Sequence, residues 1–115
     1  DELPAMHAFV YTEGTSASFD LARRAGVDPA ISARLAKAAL LTSRFIMQQQ
    51  ATPGRNDYTY PNPKKAKGGV RYCLNHNKQR IDYTYHALSS LYRILKAATD
   101  ADFAAAQAIA MPKAW

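Results

Sequence analysis

A chain of 115 residues carrying a net charge of +6 is the size of one domain. With 48% hydrophobic and 10% aromatic residues it can pack a core, which excludes wholesale disorder. No apolar run approaches the roughly 20 residues of a membrane span, and the opening stretch DELPAMHAF lacks the basic and apolar blocks of a secretory signal.

The charge is unevenly spread. Residues 1–50 carry as many acids as bases, whereas residues 51–96 hold nine Lys and Arg against Asp57 and Asp82, a local +7. Such asymmetry points to a polyanionic partner more than a high average does.

In chain order, Ser18 is a candidate N-cap with Asp20 in the first turn, predicting a short helix over residues 19–25. Gly26 suits the left-handed conformation of a helix stop. Asp28 followed by Pro29 is a restart signal, and nothing breaks a helix until about residue 50. Its apolar stripe is read as Ile31, Leu35, Ala38, Thr42, Phe45 and Ile46, with Leu41 on the flank and Lys37, Arg44 and Gln48 as a polar band. FDLARRAGVDPAISARL looks like a helix-turn-helix in layout. Ser32, however, stands where a recognition helix has a buried aliphatic residue, so an ordinary helical hairpin is expected. Leu40 and Met47 lie opposite the main stripe, so this helix either contacts a second subunit or crosses the middle of a bundle, with the alanine-rich C-terminal helix covering the patch within the chain.

Residues 51–69 then concentrate Pro53, Gly54, Pro61, Pro63, Gly68 and Gly69, which predicts a long flexible basic loop. Residues 70–76 are candidates for a short strand, with residues 81–85 as a hairpin partner; the alternative is a helix beginning near Arg80 or Asp82. Leu88, Leu91, Tyr92 and Leu95 form a helical stripe to about residue 98. Thr99 can cap a last helix with Asp102 in its first turn, and Pro112 would end it. The expected fold is mainly α: one small helical domain over residues 1–115, of about four helices, with the basic loop and a short β-hairpin.

The residues that point to chemistry lie mostly in the basic region. Arg55, Lys64, Lys65, Lys67, Arg71, Lys78 and Arg80 are interleaved with Tyr58, Tyr60 and Tyr72. Cations neutralise phosphates, and tyrosine rings offer stacking surfaces for unpaired bases. Together they predict a nucleic-acid-binding protein for RNA or single-stranded DNA. Assembly through Leu40 and Met47 would make it a nucleoprotein or coat-like subunit.

Asp82, His86 and Ser90 share a helix face at spacing four, with Arg93 nearby. A carboxylate there can orient His86 for general acid–base work, and His76 could supply the second histidine of a metal-independent ribonuclease. That enzyme is the alternative reading, and a module docking an acidic protein is another. Cys73 and His76 make only half a zinc site, so no metal and no cofactor are expected, and Cys73 is read as a buried structural residue. A single cysteine leaves no internal disulfide and favours a reducing compartment such as the cytoplasm.

Overall fold

The computed structural model describes residues 5–73 and 76–109. The chain opens with α1 (Ala5–Ala25), a helix of 21 residues that begins well before the predicted start. Ser18 is not its cap: it lies inside the helix and donates to the Gly14 carbonyl at 3.0 Å. Thr12 and Thr15 likewise donate to the carbonyls of Ala8 and Tyr11. Such back-bonding satisfies each hydroxyl within its own helix, so Thr12 and Ser16 can be buried beside Phe9, Phe19 and Ala22. Those five positions recur at helical spacing and form the buried face.

Gly26 takes φ +62°, a backbone conformation that L side chains rarely adopt. The Asp28 carboxylate then accepts from the Ala30 N–H at 2.7 Å, and Pro29 opens α2 (Pro29–Gln49). α1 and α2 form a helical hairpin. The buried side of α2 is rotated from the predicted stripe. It consists of Ser32, Ala36, Ala39, Leu40, Ser43, Ile46 and Gln49, while Ile31 is exposed. Small residues let α2 approach its neighbours closely; of the predicted stripe Ile46 is fully buried, and Leu35 and Phe45 are partly buried against the core.

After a 3-10 turn (Asp57–Thr59) come α2's successor α3 (Pro63–Ala66), β1 (Arg71–Cys73), β2 (His76–Gln79), α4 (Ile81–Ala97) and α5 (Asp100–Gln107). The two strands pair antiparallel with Arg71 opposite Gln79 and Cys73 opposite His76, separated by an irregularity in register. Residues 81–85 are therefore helical and not the partner strand. Leu74 and Asn75, in the predicted strand, lie outside the described residues, as does Pro112. α5 opens with the reciprocal cap between Thr99 and Asp102, and its C-terminal end is held by Arg44, which donates to the Ala106 carbonyl at 2.5 Å.

Two apolar clusters hold the helices. Phe9, Ile46, Val70, Cys73, Tyr83 and Ala87 join α1, α2 and α4 to the hairpin. Phe19, Ala36, Ala39, Leu40, Ile94 and Ala106 join α1, α2, α4 and α5. Leu40 is therefore core, covered within the chain by the alanine-rich α5 among others. The expected subunit contact through Leu40 and Met47 is overturned at Leu40, although Met47 is exposed. No described helix is long and apolar enough to cross a membrane.

Candidate nucleic-acid interface

Residues 51–69 are not a structureless loop. Ala51 and the glycine pair form a backbone bridge: Ala51 N–H donates to the Gly69 carbonyl at 2.8 Å and Gly68 N–H to the Ala51 carbonyl at 2.9 Å. Within the loop so closed, Asn56 accepts from the Thr52 N–H and donates to the Gln50 carbonyl. Asp57 accepts from the Gly54 N–H, and Asn62 caps α3 by accepting from the Lys65 N–H. Ala51, Tyr60 and Ala66 make a small apolar cluster beneath. The prolines and glycines that suggested looseness thus serve turns that fold the segment into a lobe.

Two side chains of β2 fasten that lobe to the hairpin. Asn77 donates to the Thr59 carbonyl at 2.7 Å and Gln79 to the Ala66 carbonyl at 3.2 Å. Successive strand residues point to opposite faces, so His76 and Lys78 are exposed on the other face. On the hairpin's inner side, Arg71 donates through Nε to Gln49 Oε1 at 3.1 Å.

The cations predicted to meet phosphate divide into two groups. Arg55, Lys64, Lys65, Lys67 and Lys78 are exposed, and no described carboxylate pairs with them. Arg71 is half-buried against Gln49. Arg80 is engaged by Asp82 at 3.0 Å and stacks over the Tyr83 ring, so its charge is already compensated. Among the tyrosines, Tyr58 is 80% exposed and free to stack. Tyr60 is 7% exposed and is not available as a stacking surface, because its ring forms the floor of the lobe. Tyr72 is half-buried, with its ring centroid 5.7 Å from Tyr83 and 5.8 Å from His76.

The histidines are arranged differently from the expected ladder. Asp82 belongs to Arg80, and the buried Ser90 donates to the His86 carbonyl. The carboxylate that holds His86 is Glu13 of α1, whose Oε2 lies 2.7 Å from His86 Nδ1; Glu13 Oε1 accepts from the Ser89 hydroxyl at 2.7 Å. Arg93 lies 3.9 Å from the same carboxylate. The Ser89 and His86 hydrogen bonds, with help from the nearby His86 and Arg93 charges, outweigh burial and lower the Glu13 pKa below its ordinary 4.5. His76, by contrast, accepts from the Lys78 N–H through Nδ1 and packs on Tyr72. The two histidines thus have separate partners and are not in contact.

Cys73 is buried in the first apolar cluster opposite His76, and no group of three metal-binding side chains occurs among the described residues. Compared with known proteins, the chain matches no family model, no curated protein sequence and no solved structure.

Proposed function

We propose that the protein binds single-stranded nucleic acid, RNA or DNA, through the lobe formed by residues 51–69 and the adjoining hairpin. The observation that carries this reading is the set of exposed, uncompensated cations on a lobe whose backbone is already fastened. A surface with its loops ordered before binding loses less conformational entropy when a ligand arrives. Lys64, Lys65 and Lys67 neutralise phosphates, Arg55 and Lys78 extend the positive field, and Tyr58 supplies a stacking surface. Backbone contacts of this kind give little preference for base sequence.

The test is fluorescence-anisotropy titration with labelled single-stranded RNA. Replacing Lys64, Lys65 and Lys67 by alanine should weaken binding about tenfold or more at moderate salt, with unchanged circular dichroism. Tyr58→Ala should cost about 1–3 kcal/mol. The RNA should be recovered uncut, because His86 is held by Glu13 apart from His76. Metal-independent cleavage lost on changing either histidine would establish the ribonuclease reading instead. Parent and triple variant binding equally weakly would contradict the proposal.

A further inference from the structure

The outward side of α4 carries an apolar seam that is exposed among the described residues. Ile81, Tyr85, Leu88, Tyr92 and Leu95 are 89%, 61%, 66%, 61% and 71% exposed, while Tyr83, Ala87, Ser90 and Ile94 of the same helix face the core. Together the five side chains expose on the order of 700 Å², taking about 150–250 Å² for each aromatic ring. The largest apolar patch of a typical monomer is about 300–600 Å², and a standard interface covers roughly 800 Å² per partner.

Spacing identifies the kind of occupant. The seam residues recur at intervals of four, three, four and three, the 3.5-residue period of a helix packed against another helix. Asp82, half-exposed beside its partner Arg80, and Lys96, which lies over the Tyr92 ring, stand on one flank of this seam, at its opposite ends, with the small Ser89 between them. Such a flank complements itself when two copies run in opposite directions: Asp82 of one lies beside Lys96 of the other, at both ends. In that register Leu88 meets Tyr92 of the second copy and Tyr85 meets Leu95. A parallel pairing would put the two Asp82–Lys96 flanks on opposite sides of the seam, each facing the uncharged Thr84–Leu91 flank of the other copy, with no such match of charge.

We propose that the protein forms a two-fold homodimer through antiparallel pairing of α4 along Ile81, Tyr85, Leu88, Tyr92 and Leu95. The inference does not depend on nucleic-acid binding, and it replaces the predicted contact at Leu40. Exposed Met47, beside Leu88 and Leu91 in the groove between α2 and α4, lies at the edge of the covered area.

Sedimentation equilibrium without nucleic acid tests it, using the parent and four variants. The parent should show a concentration-dependent dimer. Leu88→Glu should raise the dissociation constant at least roughly hundredfold, because both copies lose a buried leucine. Leu95→Ser should act in the same direction, and both variants should keep the parent's circular dichroism. Asp82→Lys should weaken the dimer several-fold, and Asp82→Lys combined with Lys96→Asp should restore it. A monomeric parent, or a dimer indifferent to Leu88→Glu and Leu95→Ser, overturns the proposal. So does a dimer that the charge exchange fails to restore, since the pairing is then not antiparallel. Unfolding of both single apolar variants would mean that the seam is covered within the chain, and overturns it as well.

Discussion

At Glu13 three side chains of another helix converge: His86, Ser89 and Arg93 of α4. The folded state holds this carboxyl below its ordinary 4.5, the Ser89 hydrogen bond contributing most. The resulting stability is complete above that value and is lost as pH falls through the lower folded-state value. Glu13→Gln should therefore destabilise the protein by about 1–2 kcal/mol near neutral pH, as judged from urea unfolding. The gap should close in acid, well below the ordinary 4.5, once the parent's carboxyl has taken up its proton. A gap of equal size at both pH values would contradict the account. Asp102 behaves in the same sense: burial raises its pKa, but the Thr99 hydrogen bonds and Arg23 outweigh burial and hold it below 3.8. The sequence makes Asp102 readable, because its cap partner Thr99 is three residues away. It hides Glu13, because helical spacing relates only residues of one helix, and Glu13 stands 73 positions before His86. Helical spacing therefore points from His86 to Asp82, whereas the tertiary fold brings Glu13.

Among the elements, those with local punctuation were legible and those defined by packing were not. Asp28–Pro29, Gly26 and Thr99 mark helix ends by backbone chemistry alone, and the structure places boundaries at all three. α1 was half missed because its hydroxyl run resembles a cap region until Thr12 and Ser16 are seen buried beside Phe9 and Phe19. In α2 the periodicity was visible, but the face turned inward differs from the predicted stripe. Ile31 of that stripe is exposed, whereas Ser32, Ala36, Ala39 and Leu40 face inward beside Ile46. The lobe was equally opaque, since its order depends on β2. A Cβ on Gly69 would come within 2.6 Å of Gln79 Cδ, disturbing the side chain that holds the Ala66 carbonyl. Gly69→Ala should therefore loosen the lobe by about 1–2 kcal/mol through loss of that tie. Limited proteolysis should cut within residues 51–69 faster than in the parent, while the helical circular dichroism persists. Unchanged cleavage would show that Gln79 does not secure the lobe.

For the molecule as a whole, the sequence located the charge, and the structure supplies the internal ties of the segment that carries it. The cations lie on a lobe fastened to the hairpin by Asn77 and Gln79, and not on a slack tether. Only part of the predicted site remains open to a ligand: Arg55, Tyr58, Lys64, Lys65, Lys67 and Lys78 are exposed, whereas Tyr60 is buried and Arg80 is paired. Burial and ion pairing are tertiary facts, so no reading of composition separates these groups. The most direct measurement of the central claim is the salt dependence of binding to single-stranded RNA. With four or five phosphates neutralised, log affinity against log salt should fall with a slope near −3 for the parent. The slope should flatten toward −1 when Lys64, Lys65 and Lys67 are replaced by alanine. A parent slope near zero, or one that the triple replacement leaves unchanged, would contradict binding through this lobe.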